Sequence, residues 1–248
     1  MSLRLTVVGC GDAFGSGGQS NTCFHLDDGS RRWFLDFGAS AMVASNAAGI
    51  DINAVDAIFL SHLHGDHFGG IPFLILHAQF VTDRTAPLTI AGPPGVEARI
   101  RAAQEIMFPE STSIDLSYDI RFVEMIPGET ADICGMSVST VEVSHPSGAP
   151  PLALRLERGG RALAFSGDSE WLDVLVDISR EADLFICECY AFEQAIPYHV
   201  RYRDIETHLS QLTAKRIMLT HLGPEMLENV EAIDPAIGTL RDGMVIEI

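Results

Sequence analysis

Ligand chemistry is concentrated in one short stretch, Ser61-His62-Leu63-His64-Gly65-Asp66-His67, which is followed closely by Gly69-Gly70. Three imidazoles and a carboxylate fall within it. His62 and His64 are two apart, so an extended segment points both the same way. Asp66 and His67 then turn toward a second centre, and the neighbouring glycines let the backbone bend tightly. Imidazole nitrogen with carboxylate oxygen suits Zn²⁺ best, with Mn²⁺ or Fe as alternatives. A histidine-rich polar surface loop would contain the same residue types. It would not explain the other candidates, each of which stands at the tip of a strand. His145 follows Ser137–Val143, Asp168 lies in Phe165-Ser166-Gly167-Asp168-Ser169, and His221 ends Ile217–Thr220. Loops on a rigid scaffold are where sites are carried. Two divalent ions in such a set lower the pKa of a shared water toward neutrality and neutralise charge on an attacked oxygen, which is hydrolytic chemistry.

Short apolar strands and helix-compatible segments must position these groups. Strands are expected over Leu3–Val8, Thr22–Leu26, Trp33–Asp36, Val55–Leu60 and Leu88–Ala91. A second series covers Ile120–Met125, Ser137–Val143, Leu152–Glu157, Arg161–Ser166, Leu184–Cys189, Arg216–Thr220 and Met244–Ile248. Helices are expected over Ala39–Ala48, stopping at Gly49, and over Pro72–Val81, Val96–Met107, Trp171–Glu181 and Asp204–Leu212. Strands in two halves with helices between and after them predict an α+β architecture, two sheets packed face to face with helices outside.

Composition narrows the classes. The chain has 248 residues, 47% of them apolar, with 34 acidic side chains against 16 basic ones and a net charge of −18. Residues 1–248 are expected to form one domain with a core large enough to need no disulfide. Disorder is excluded, because charged residues are only 20% and apolar runs recur throughout. The acidic balance opposes binding of a nucleic-acid polymer, which needs clustered Lys and Arg. No apolar run is long enough to span a bilayer. Met1–Val8, with Arg4 inside it, reads as a strand entering the Gly9-Cys10-Gly11 turn, not as a signal peptide. Five cysteines, of which only Cys187 and Cys189 stand close together, predict reduced thiols and a cytoplasmic protein.

The His-x-His-x-Asp-His run, His145, the Gly-Asp-Ser around Asp168 and the Leu-Thr-His at His221 resemble the metal motifs of the metallo-β-lactamase superfamily. Leu35-Asp36-Phe37-Gly38 is similar to its first motif, an aspartate–glycine turn that structures the site. The resemblance runs from about Val7 to His221 and implies an αββα sandwich with a dinuclear edge site. His62, His64 and His145 would hold one metal, Asp66, His67 and His221 the other, and Asp168 would bridge. True β-lactamases usually carry a cysteine where Asp168 stands, and oxygen-reducing diiron members a glutamate at the position of His64, so neither is implied. Glu188-Cys189-Tyr190, His199 and Leu219-Thr220-His221 look like the ribonuclease Z branch, in which a Glu–His pair assists at the scissile phosphate. The catalytic candidates are therefore Asp66, Glu188 and His199, with His199 stabilising charge or protonating the leaving oxygen and Glu188 orienting it. Related enzymes often pair as homodimers.

This sequence departs from that branch twice. Its His-Ser-Thr triplet is replaced by His199-Val200-Arg201, while His208 in Thr207-His208-Leu209 matches the triplet better but reads as a solvent-facing helix residue. Bacterial ribonuclease Z carries a tRNA-gripping arm between the positions of His145 and Asp168. Only 23 positions separate them here, and Gly148–Arg161 reads as a hairpin. Two ions bring a charge of about +4, offset by about three from Asp66, Asp168 and a bridging hydroxide, which leaves a positive pocket in an acidic protein. A small or cyclic phosphodiester is the expected substrate. A carboxylic ester or lactone on the same metals is the alternative, and a non-catalytic metal-binding module the alternative of another class. His25 and His77 read as structural, Ser61 and Ser144 as supports for ligand histidines, and Gly9–Gly18 as a turn shaping the pocket. Arg201 and Arg203 read equally as phosphate contacts or as an exposed helix start.

Overall fold

In the computed structural model, which describes residues 2–248, alternation along the strands sends side chains to separate cores. β1 (Arg4–Gly9), β2 (Cys23–Asp27), β3 (Arg32–Leu35), β4 (Ala57–Phe59), β5 (Leu88–Gly92) and β6 (Ile120–Glu124) lie in one sheet. β7 (Thr130–Ile133), β8 (Met136–Glu142), β9 (Leu152–Arg158), β10 (Arg161–Phe165), β11 (Leu184–Glu188), β12 (Ile217–Thr220) and β13 (Ile237–Thr239) form the other. β14 (Val245–Glu247) returns to the first sheet, antiparallel to β1, with Ile246 opposite Leu5. Both sheets are mixed, because β3 to β6 and β10 to β13 run parallel. Parallel neighbours need crossovers, and helices supply them. The first sheet carries α1 (Ala41–Ala47), α2 (Gly65–Phe68), α3 (Ile71–Phe80) and α4 (Val96–Met107), and the second α5 (Val174–Ser179), α6 (Tyr202–His208) and α7 (Pro224–Glu228).

Leu5, Phe24, Trp33 and Leu35 share the inter-sheet core with Leu154, Leu163, Phe165 and Ile186. Phe24 and Phe165 meet edge to face across it at 5.7 Å. The outward-facing Phe34 and Ile58 share a second core with Leu74, Ile75 and Ile100 of the helices, and Phe185 and Leu219 a third with Leu175, Ile205 and Met226. The layers are helix, sheet, sheet, helix, the αββα sandwich expected. Strands buried on both faces explain why their sequences are continuously apolar.

Several details differ from the expectation. β7 is exposed at three of its four residues and β13 has only three, so edge pairing and not an apolar pattern defines them. The helix expected over Trp171–Glu181 is confined to Val174–Ser179. Ahead of it, the Glu170 N–H donates to the Ser144 carbonyl and keeps the chain along the sheet edge. The helix expected over Asp204–Leu212 begins at Tyr202 and tightens into a 3₁₀ turn after His208. Between His145 and Asp168, β9 and β10 form a hairpin turning at Gly159-Gly160, and no arm projects. Among the described residues, no helix is long and apolar enough to cross a membrane. All five cysteines are free thiols.

A buried cation fastens the loops around the first sheet. Arg84 is only 3% exposed. It donates to the carbonyls of Ala86, Ile52, Asn53, Val55 and Pro87 at 2.7–3.3 Å, so all five guanidinium N–H groups are used. Arg84→Met strands these acceptors and is expected to destabilise the fold by about 2–4 kcal/mol. Calorimetry should show Tm falling by roughly 4–16 °C for a chain of this size. An unchanged Tm would show that the loops hold themselves.

Candidate active site

Six strand ends deliver the chemistry to one edge of the sandwich. Asp36 follows β3, Ser61–His67 follow β4, His145 follows β8, Asp168 follows β10, Glu188 closes β11 and His221 follows β12. The carboxyl ends of parallel strands are where open α/β sheets bear their sites. Local backbone geometry aims the side chains. Asp36 and His221 take left-handed φ values of 56° and 59°, and the His221 N–H donates to the Cys10 carbonyl. A Cβ at Gly38 would stand 2.1 Å from the Asp66 carbonyl oxygen, so only glycine lets the β3 loop press against the start of α2.

Asp36 organises the motif from beneath. Its carboxylate, fully buried, accepts from the Ser61 N–H at 2.8 Å, the Ser61 hydroxyl at 2.8 Å and His67 Nδ1 at 2.6 Å. With its only proton given to Asp36, the Ser61 oxygen accepts from His62 Nδ1 at 3.0 Å. With a metal bound, both rings would carry their proton on Nδ1 and present a bare Nε2. Those two Nε2 atoms are buried without a hydrogen-bond partner. His145 Nδ1 donates to the Tyr198 carbonyl at 3.0 Å, which turns its Nε2 to within 3.0 Å of His64 Nδ1. Buried, unpartnered acceptors converging on one space are the signature of a cation site.

The donors form two touching groups, His62 with His64 and His145, and Asp66 with His67, Asp168 and His221. Ligands bonded at about 2.0–2.1 Å to tetrahedral zinc stand roughly 3.3–3.4 Å apart. In the second group, His67 Nε2 is 3.3 Å from Asp66 Oδ2 and 3.3 Å from Asp168 Oδ1. His221 Nε2 is 3.4 Å from Asp66 Oδ2 and 3.3 Å from Asp168 Oδ2. Asp168 Oδ2 also reaches the first group, 3.8 Å from His62 Nε2 and 3.9 Å from His145 Nε2. It approaches both sets. The donor set and its spacing fit divalent metals.

Electrostatics agree with that fit. Burial opposes ionisation of Asp168, yet His221 and His67 hold its carboxyl well below the ordinary range. Burial likewise opposes charge on His67, but Asp168, Asp66 and Asp36 push its pKa well above the usual imidazole value. Carboxylates and imidazoles thus hold one another charged, and a divalent cation would take the place of the imidazole protons.

Beside the metal donors stands the second candidate pair. Glu188 is fully buried, its Oε1 accepting from the Ser169 N–H at 2.5 Å and its Oε2 lying 3.2 Å from His199 Nδ1. Burial and the neighbouring Asp168 charge raise its pKa well above the carboxylate range, and burial lowers that of His199. The His199 ring lies parallel to His221, with centroids 5.6 Å apart, and 5.0 Å from Tyr190. With Nδ1 committed to Glu188, Nε2 is its remaining ring nitrogen.

Other candidates sit elsewhere. His208 is not solvent-facing; it is half-buried and stacks on Trp171 with centroids 4.6 Å apart, because α6 packs beside the Glu170–Leu172 segment. Ser144 supports no ligand, since its hydroxyl bonds Glu170. Arg201 pairs with Asp204, and Arg203 with Glu193 and Glu206. His25 is buried against Phe34 and His77 lies in α3, both away from the cluster. The Tyr190 and Trp171 rings border the site as well; Tyr190 closes the Glu188-Cys189-Tyr190 run, whereas Trp171 carries no sequence signal beyond its place three residues after Asp168.

A family model described as Anti-Pycsar protein Apyc1 matches residues 3–244. The chain belongs to this family. Apyc1-family membership sits within a broader likeness. The ribonuclease Z of Methanosarcina acetivorans is 25% identical over 283 residues, covering 93% of this chain and 91% of that protein. The metallo-β-lactamase fold protein YhfI of Bacillus subtilis superposes with a TM-score of 0.81 at 19% identity, over 100% of both chains. The short form of human tRNase Z gives a TM-score of 0.79 at 22% identity over 98% of each. This Apyc1-family chain has the metallo-β-lactamase fold and is a metal-dependent hydrolase, similar in sequence to ribonuclease Z. In it, Asp36→Asn should leave the circular dichroism spectrum unchanged while metal affinity falls ten- to hundredfold, as lost outer-sphere support generally causes. Unaltered affinity by metal titration would mean that Asp36 does not set the His67 ring.

Proposed function

We propose that residues 1–248 work as one phosphodiesterase domain acting on small or cyclic phosphodiesters. His62, His64 and His145 would hold one divalent ion, Asp66, His67 and His221 the other, and Asp168 would serve both. Zinc suits this nitrogen-rich set best, with manganese or iron accommodated by the same donors. When bound, the ions supply Lewis acidity toward phosphoryl oxygens and an acidified water at neutral pH. The observation that carries the phosphoryl reading is the Glu188–His199 contact at 3.2 Å, placed at the rim of the metal cluster.

The protein's own groups then divide the work. Glu188, locked by the Ser169 N–H, fixes the plane of His199. His199 Nε2 donates a proton to the departing oxygen or steadies the charge growing there. Asp66, 12% exposed, lies on the solvent side of its group and meets the substrate side. Small size follows from the hairpin between His145 and Asp168, which offers no arm to hold a polymer, and from the net charge of −18. The arginines nearest His199 are neutralised by their own acidic partners.

Protein of quantified metal content should hydrolyse bis(p-nitrophenyl) phosphate, lose the activity on chelation and recover it with Zn²⁺ or Mn²⁺. Esterase or lactonase turnover without diester turnover, at full occupancy, moves the assignment to carbonyl chemistry. The absence of all turnover at full occupancy leaves a metal-binding module. His199→Ala should retain both metals and lose turnover by roughly 10²–10⁴-fold, the range for a general acid. Normal turnover would return Glu188 and His199 to a structural role. Asp168→Ala should lose metal at one or both positions in elemental analysis, and undiminished two-metal occupancy would remove its spanning role.

A further inference from the structure

A pocket of about 410 Å³ opens beside His199, and the metal donors do not line it. One wall is Trp171, three residues after Asp168, and another is the Ile196-Pro197 turn. The Trp171 ring is held flat from behind by His208, with centroids 4.6 Å apart and planes inclined by 17°. Trp171, Ile196 and Pro197 line the pocket together with His199, the ring that we assign to the leaving oxygen. The polar rim is acidic on balance, because Glu170 and Asp204 stand against the single guanidinium of Arg201, which is already paired with Asp204 at 3.1 Å.

We propose that this pocket is a leaving-group subsite for a neutral, planar aromatic or heteroaromatic group, with Trp171 as its specificity-determining residue. The proposal rests on the phosphodiesterase reading for the position of the reacting phosphorus. Stacking on Trp171 supplies preference for flat rings, since aromatic faces favour one another over alkyl groups. Glu170 accepts hydrogen bonds from donors on such a ring. The same carboxylate disfavours a leaving group that carries a second phosphate, so a polynucleotide chain continuing on this side meets repulsion where a small diester does not. His208 acts through Trp171 as a positioning residue.

The chain has only two tryptophans, and Trp33 is wholly buried between the sheets, so ligand-induced fluorescence change reports Trp171. Zinc-loaded protein is titrated with phenylphosphonate and with methylphosphonate, two unreactive probes that differ only in the ring. Phenylphosphonate should quench the emission saturably and bind roughly tenfold more tightly. By calorimetry, Trp171→Phe should keep that preference and Trp171→Ala abolish it. In turnover of bis(p-nitrophenyl) phosphate, Trp171→Ala should raise KM and leave kcat nearly unchanged. Equal affinity of the two probes for the wild-type protein, or a preference that survives Trp171→Ala, overturns the subsite. Ring preference in a protein without diester turnover sustains the subsite and removes the phosphodiesterase reading. Turnover without ring preference does the reverse.

Discussion

A buried carboxylate that makes three charge-assisted hydrogen bonds underlies everything at the functional edge. Asp36 receives the Ser61 amide, the Ser61 hydroxyl and His67 Nδ1 while fully out of water. Desolvation alone would push such a group toward its neutral form, and it pushes the Asp36 pKa up, against the pull of His67 and Ser61. The arrangement persists because both oxygens accept, Oδ1 one hydrogen bond and Oδ2 two. It settles at once the backbone path after β4, the tautomers of His62 and His67, and the direction in which their bare nitrogens point. The left-handed φ of Asp36 and the absence of a side chain at Gly38 are what this carboxylate requires of the backbone.

The two halves of the molecule meet at this edge, and neither half owns the site. The first sheet contributes Asp36 and the Ser61–His67 run; the second contributes His145, Asp168, Glu188 and His221. Their separation is set by the inter-sheet core, so packing between Phe24 and Phe165 is a term in metal-site geometry as well as in stability. The acidic surface and the electronegative pocket are different matters. The surface acids are mostly solvated or paired, whereas Asp66 and Asp168 stay charged through imidazoles a few ångströms away.

How much of this the chain's letters disclosed depended on the kind of signal. The strands buried on both faces, Val7 to Gly9 or Leu184 to Glu188, announce themselves through unbroken apolar runs, and the sandwich follows from their grouping. The donor residues were legible because His, Asp and Glu at successive strand tips have few other reasons to be there. β7 and β13 were illegible, since an edge strand needs only a neighbour's ladder and leaves no apolar period. The shortened α5 was hidden for a different reason. Its first residues are helix-compatible, but the Glu170–Ser144 backbone bond commits them to the site's rim. His208 misled because a half-turn of helix separates a solvent-facing position from one that stacks on Trp171, and only tertiary packing decides between them.

The last strand has a consequence of its own. β14 pairs with β1, and just before it the Asp242 carboxylate accepts from the Cys10 and Ser20 amides, 232 and 222 residues upstream. The Cys10 carbonyl in turn holds the His221 amide. A ribosome delivers the chain from one direction, so β1 and the loop behind it wait, half-paired, until the residues between them and Asp242 have been made. Long-range closure of this kind is slow, and it exposes a bare sheet edge meanwhile. A nascent chain therefore lacks a finished place for a metal until Asp242 has emerged.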